Sequence, residues 1–149
     1  MLKENCADSS GSPDRAAFEE VEHTADRALK IYGPDLRQLL VNAAHGMNSL
    51  MLKAPAAAST AVEKKVSLEA SDAEGLLVEW LSELAFWAET ELLVFSGFEL
   101  HEVCPTRLKA TLYGSRIDQL EKHIKAVTYH NLEIVRTAAG LSAVVVFDV

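Results

Sequence analysis

The chain is short of several things at once, and each shortage removes a class of function. It has only two cysteines, Cys6 and Cys104, too few and too far apart for a disulfide framework or a zinc knuckle. A reducing, cytoplasmic home is the default expectation that follows. Bases are scarce: 14 lysines and arginines against 22 aspartates and glutamates leave a net charge of −8. Strong independent binding to a phosphate backbone needs clustered bases that displace counterions, so direct nucleic-acid binding is not expected. No apolar run approaches the roughly 20 residues that cross a bilayer. No basic segment followed by an apolar one opens the chain, so neither a membrane span nor a secretory signal is expected. Also missing are the GxxxxGKS/T phosphate loop, GxGxxG, HExxH and the GxSxG elbow. Neither cysteine sits beside a helix start or basic cluster that would activate its thiol. Nucleotide hydrolysis, zinc proteolysis and serine-hydrolase chemistry lose support together.

What is present is ordinary globular material. Hydrophobic residues make up 49% and charged residues 24%, with a mean hydropathy of +0.07. A chain of 149 residues suits one domain that buries roughly 70% of its unfolded surface. Residues 1–16, with Asp8-Ser9-Ser10-Gly11-Ser12-Pro13, hold little that packs and read as a disordered tail. Residues 17–149 read as the domain.

Two short strands are expected first, at 18–22 and 28–32, with Leu29 and Ile31 alternating against polar neighbours. His23-Thr24-Ala25-Asp26 links them and Gly33-Pro34 ends the pair. Asp35 predicts an N-cap for a helix to about Met51, whose Leu36, Leu39, Leu40, Ala43, Met47 and Leu50 recur at helical spacing. After a connector at 53–60, residues 63–70 alternate as a third strand. Ser71 or Asp72 caps a second helix to about Glu91, with a wide apolar face that includes Leu77, Trp80, Leu84, Trp87 and Ala88. Strands are then expected near 92–103, 107–114, 125–129, 132–137 and 141–148, with a tight turn at Ala139-Gly140 joining the last two. The order predicts a single α+β domain: a mostly antiparallel sheet with two main helices packed on one face.

Three segments could carry chemistry. An acid in a tight link such as His23-Thr24-Ala25-Asp26 either bonds its own backbone as an Asx-turn or is held rigidly enough to ligate. Asp148 follows the apolar run Ala143-Val144-Val145-Val146 and Phe147, where a buried unpaired charge would cost several kcal/mol. It therefore requires a cation, backbone donors or open solvent. With Val149 it offers oxygens suited to a hard cation; the alternative is a frayed end facing water. If the first link approached this end, Asp26 and Asp148 would repel each other unless a cation intervened. The third segment is Lys125-Ala126-Val127-Thr128-Tyr129-His130-Asn131. His130 is there an acid–base group, a ligand or a polar strand end; Lys125 neutralises a carboxylate cluster, anchors a phosphate or is simply solvated. His45, His101 and His123 stand singly and read as structural. Asp72, Glu74, Glu79, Glu83, Glu89 and Glu91 have no base among them, which fits a solvated helix face or an acidic docking surface for a basic protein.

Taken together, these segments resemble the archease family. The residues are Phe18-Glu19-Glu20-Val21-Glu22-His23-Thr24-Ala25-Asp26, Leu39-Leu40-Val41-Asn42-Ala43-Ala44-His45-Gly46-Met47, Leu76-Leu77-Val78-Glu79-Trp80-Leu81-Ser82-Glu83-Leu84, Ile124-Lys125-Ala126-Val127-Thr128-Tyr129-His130 and Val146-Phe147-Asp148-Val149. They run in the family's order from Phe18 to Val149. The resemblance implies an accessory protein, not an enzyme, that assists an RtcB-type, GTP-dependent RNA ligase. Its role would be to promote ligase guanylylation and repeated turnover in tRNA splicing or RNA repair, the ligase holding the RNA. The resemblance also implies a divalent-cation site, usually calcium with magnesium or manganese as substitutes. Asp26 and Asp148 would supply side-chain carboxylates there and Val149 main-chain or terminal oxygens. His23, Lys125 and His130 are expected near that site. Two departures stand out: Gly140-Leu141-Ser142 lies where the family commonly carries a tryptophan, and Arg27 lies where many members have a small or aliphatic residue. On the residues alone two other classes stay open. One is a stand-alone metal-dependent hydrolase or phosphotransferase with His130 as its base; the other is a general chaperone.

Overall fold

Two aspartates start the helices. The computed structural model describes residues 17–22, 27–54 and 61–149. The Asp35 carboxylate accepts the Gln38 N–H at 2.8 Å and opens helix α1, Leu36–Met51. The Asp72 carboxylate accepts the Gly75 N–H at 2.7 Å and opens helix α2, Ala73–Glu91. Each satisfies one of the backbone donors that a helix start leaves without a partner. The strands are β1 (Phe18–Glu22), β2 (Arg27–Gly33), β3 (Val62–Glu69), β4 (Leu93–Cys104), β5 (Arg107–Arg116), β6 (Ala126–Thr128), β7 (Val135–Thr137) and β8 (Gly140–Asp148). The expected tail, the link that holds His23 and Asp26, and residues 55–60 of the connector lie outside the described residues.

The strands divide into two antiparallel sheets. One has the order β1-β2-β8-β6, with β7 also on β8; the other has the order β3-β5-β4. Helix α1 packs on β2 of the first sheet and β4 of the second, and α2 packs on β6 and on β4. The helices therefore lie between the sheets, each sheet giving them one face. The α+β class and the one-sided packing are as expected, while the division into two sheets was not readable. Sheet membership depends on β8 returning to β2, from Arg27↔Phe147 to Gly33↔Leu141, and no local periodicity reports such a pairing.

Trp80, Phe95 and Phe147 are among the largest fully buried side chains. Several polar groups at this layer find partners among main-chain carbonyls. The Trp80 indole N–H donates to the Leu40 carbonyl at 2.8 Å, and the Asn48 amide donates to the Phe95 carbonyl at 2.7 Å. The Arg37 guanidinium donates to the Leu100 carbonyl. Trp87, expected on the apolar face, is only half-buried. Its N–H donates to Glu83 at 2.9 Å and the Lys64 ammonium lies 4.4 Å from its ring centre.

Strands β6 and β7 are shorter than the expected 125–129 and 132–137. Asn131 adopts φ 52° and the Leu132 N–H closes back on the Tyr129 carbonyl at 3.0 Å, which breaks the extended run. The Ile134 N–H goes instead to the Glu74 carboxylate at 2.9 Å. Strands β7 and β8 do form a hairpin. Its turn is Ala138 and Ala139, since Thr137 pairs with Gly140; Gly140, at φ 123°, is the first residue of β8. Cys104 is disulfide-bonded, so the default argument for a reducing home loses its support. Among the described residues no helix is long and apolar enough to cross a membrane.

Candidate cation site at the end of strand β8

Strand β8 is held on both sides, by β2 and by β6 with β7. Leu141, Ala143, Val145 and Phe147 are buried, a period-2 pattern facing the helices. The final turn of that alternation leaves Asp148 exposed. Its carboxylate therefore takes the open-solvent setting, one of the three that its place after an apolar run allowed. Phe147 is fully buried and Val149 packs its side chain against the core. Asp148 thus sits between two anchored neighbours, which counts against a frayed end.

Strand β6 brings Lys125 to this point. Ala126 pairs with Asp148, and the Lys125 N–H donates to the Asp148 carbonyl at 2.7 Å. Lys125 is exposed, so the end of β8 carries a solvent-facing acid beside a solvent-facing base. On the other side Arg27 pairs with Phe147. Its guanidinium reaches back to Glu20 on β1 at 3.3 Å, an exposed pair of little energetic weight.

Asp26 and His23 lie outside the described residues. Among the described residues no group of three or more histidines, cysteines and acids gathers as a metal site. The described donors are the oxygens of Asp148 and Val149. They are hard ligands that fit a hard cation.

His130 follows the far end of β6. It lies past Thr128, which pairs with Val146, at the opposite end of β6 from Asp148. Its backbone N–H contacts the Thr128 hydroxyl at 3.3 Å and its Nε2 lies 3.3 Å from the Asn131 amide. The alternation of a strand says which face a residue takes but not which end of the strand meets a partner, and here the Lys125 end is the one that pairs beside Asp148. The remaining histidines behave structurally. His123 pairs with Glu89 at 2.8 Å and His101 bonds Thr111 at 2.8 Å. His45 keeps an exposed edge but packs edge-on against Phe98 at 5.2 Å, and this partial desolvation of its ring pushes its pKa below the ordinary value.

One surface escaped the sequence reading. A groove of about 250 Å³ runs between α2 and β6, lined by residues that include Ala85, Phe86, Glu89, Ile124 and Lys125. Phe86 is 54% exposed, seven residues after Glu79 and three after Glu83, which places an aromatic on the polar side of α2. An aromatic off the apolar stripe was the available signal.

The comparisons with known proteins agree with one another. The model of the Archease protein family (MTH1598/TM1083) matches residues 18–149. A protein archease of Methanosarcina mazei is 36% identical over 140 residues, which cover 89% of this chain and 95% of that protein. One of Methanothermobacter thermautotrophicus is 32% identical over 137 residues, covering 88% and 97%. Among solved structures, the solution structure of Methanobacterium thermoautotrophicum protein 1598 superposes with a TM-score of 0.75 at 31% identity, covering 91% of this chain and 100% of that one. The crystal structure of a Thermotoga maritima archease, described as a possible chaperone, gives a TM-score of 0.64 at 25% identity, covering 88% and 96%.

Proposed function

The chain belongs to the archease family, and on that premise we propose that it is an accessory protein of an RtcB-type, GTP-dependent RNA ligase. It promotes guanylylation of the ligase and its repeated turnover in tRNA splicing or RNA repair, and catalyses no reaction alone. The observation that carries this reading is the family match across residues 18–149. The exposed Asp148, held at the end of a core-anchored strand, supports the site within it.

The residues that would hold a divalent cation, calcium with magnesium or manganese as substitutes, are Asp26, Asp148 and the oxygens of Val149. When bound, such a cation offsets negative charge on a nucleotide phosphate. The chain's own residues supply the positioning. Phe147 and Val149 pack on the core and so limit the freedom of Asp148, while the Lys125 N–H holds the Asp148 carbonyl. The Lys125 ammonium adds a second positive charge at the same strand end, and His23 belongs to the link that would carry Asp26. A net charge of −8 leaves RNA binding to the ligase.

The test is ligase guanylylation with wild-type protein, Asp26→Ala and Asp148→Ala. Both variants are expected to lose most of the stimulation. Equal stimulation by all three would remove the cation from the mechanism, and none by the wild type would remove the function. A second reading, a general chaperone, has the description of the Thermotoga maritima relative in its favour. It would be preferred if the protein suppressed aggregation of unrelated clients and had no special effect on the ligase. A stand-alone hydrolase, with His130 as its candidate base, has less support, since the matching family and relatives are archeases; nucleotide turnover without any ligase would restore it.

A further inference from the structure

We infer that the groove between α2 and β6 is where the ligase docks, through a segment that carries one apolar anchor flanked by lysine or arginine. This rests on the proposed function and names the contact surface it needs.

The shape argues first. A volume of about 250 Å³ falls below the roughly 300–1,000 Å³ of pockets that enclose small-molecule ligands. It is open to solvent along one wall and apolar on its floor, where Ala85, Ile124 and Val127 line it. That suits a protruding side chain better than a free substrate. Phe86 forms the rim, 54% exposed, and its ring is steadied edge-on against Trp87 at 5.5 Å. Trp87 is itself pinned by Glu83 and Lys64. A single exposed aromatic is unremarkable on a surface. An exposed aromatic already held in place beside an apolar groove is the arrangement of an interface anchor, whose ordering cost on binding is small.

Charge identifies the occupant. Glu79 and Glu83 share the solvent face of α2 with Phe86, at the spacing that brings helical side chains together, and Glu89 lines the groove. The positive group lining the groove is Lys125 on the opposite wall, and His123 bonds the Glu89 carboxylate at 2.8 Å. No lysine or arginine occurs in α2 itself. The Phe86 side is therefore acidic, on a chain of net charge −8, and a basic segment is complementary to it.

Position completes the case. The groove's far wall is β6, the outermost strand on its side of the sheet. Ala126 of that wall pairs with Asp148. A segment seated in the groove would thus run beside the acid proposed to act on the ligase. The other large depression, about 680 Å³ on the outer face of β3-β5-β4, belongs to the second sheet and mixes Lys65 and Lys109 with Glu63 and Glu99.

The test measures ligase affinity by calorimetry, and guanylylation against protein concentration, for the wild type, Phe86→Ala and the double variant Glu79→Lys/Glu83→Lys. All three changed side chains face solvent or its border, and circular dichroism confirms folding. Each variant is expected to weaken ligase binding at least about tenfold, the scale of losing an interface anchor. The concentration for half-maximal stimulation should rise in parallel, with saturating amounts restoring it. Asp148→Ala should instead lower the maximum. If both groove variants bind within about twofold of a wild type that binds the ligase, the docking site is wrong and the proposed function stands. If the wild type binds no ligase, both fall. If sedimentation shows a wild-type dimer that Phe86→Ala dissolves, the groove belongs to a second copy and the inference is overturned.

Discussion

Replacing Gly114 with alanine tests a close backbone approach in the second sheet. Gly114 pairs with Phe95 on one side and Val62 on the other, next to the register shift between Phe95 and Gly97. A Cβ added there would lie 2.1 Å from the Val94 carbonyl oxygen and 2.7 Å from the Phe95 Cα. These are main-chain atoms that no rotamer can move away. Strand β4 must therefore retreat from β5 by about 1 Å, which carries local N–H···O contacts out of hydrogen-bonding range. Two ladder bonds at about 1 kcal/mol each are lost. Disturbed packing around Phe95 and Val94, 2% and 3% exposed, adds about 1–3 kcal/mol. The sum is about 3–5 kcal/mol, a large share of the 5–15 kcal/mol that stabilises a typical domain. With a urea slope of about 2 kcal/mol per molar, the unfolding midpoint should fall by about 2 M. Gly97→Ala is the control. Its Cβ would meet the Tyr113 Cβ at 3.3 Å and Cδ2 at 3.6 Å, a tight contact that a small shift of a few tenths of an ångström relieves, so its effect stays within about 1 kcal/mol. A Gly114→Ala midpoint within about 0.5 M of wild type would refute the reasoning.

Four further outcomes are expected. Asn48→Leu removes the buried donor to the Phe95 carbonyl and should cost about 1–3 kcal/mol, visible as a melting temperature lower by about 5 °C. Asp72→Ala should cost about 1 kcal/mol in urea unfolding and Asp72→Ser much less, because serine also caps. Asp148→Ala should change stability by less than about 0.5 kcal/mol, since the side chain is exposed, while abolishing most ligase stimulation; a large loss of stability would make the residue structural. His45 should make folding weaken as pH falls below about 6.5. Its folded pKa is lowered by partial desolvation against Phe98, so the unfolded chain takes the proton first. Stability is complete above the unfolded value and is lost as pH drops towards the folded one. His45→Gln should flatten that part of a pH series of urea midpoints, and an unchanged series would show that the ring is fully hydrated.

Much of the secondary structure was readable because its causes are local. Asp35 and Asp72 cap helices from the positions their chemistry suggests. The leucine stripe of α1 and the alternation of Leu29 and Ile31 report periods of 3.6 and 2 that need only near neighbours. Errors arose where a distant residue decided. The Glu74 carboxylate takes the Ile134 N–H from sixty residues away, and Asn131 at φ 52° ends what the pattern alone would extend. His130 shares a segment with Lys125, and the Lys125 end is the one that pairs beside Asp148, because pairing with β8 runs in one direction and ends at Thr128.

The sequence by itself determined the α+β class, both helices and their caps, and the apolar run that leads to Asp148, together with the resemblance that singles out Asp26, Asp148 and Val149. Tertiary structure alone decided that the strands form two sheets with the helices between them, that the Lys125 end of β6 pairs beside Asp148, and that Phe86 overlooks a groove. The physical reason is range. Capping and periodicity are interactions between residues a few positions apart. Sheet order, strand direction and the meeting of α2 with β6 depend on which distant segments bury one another, and one helix or strand pattern is compatible with several such pairings.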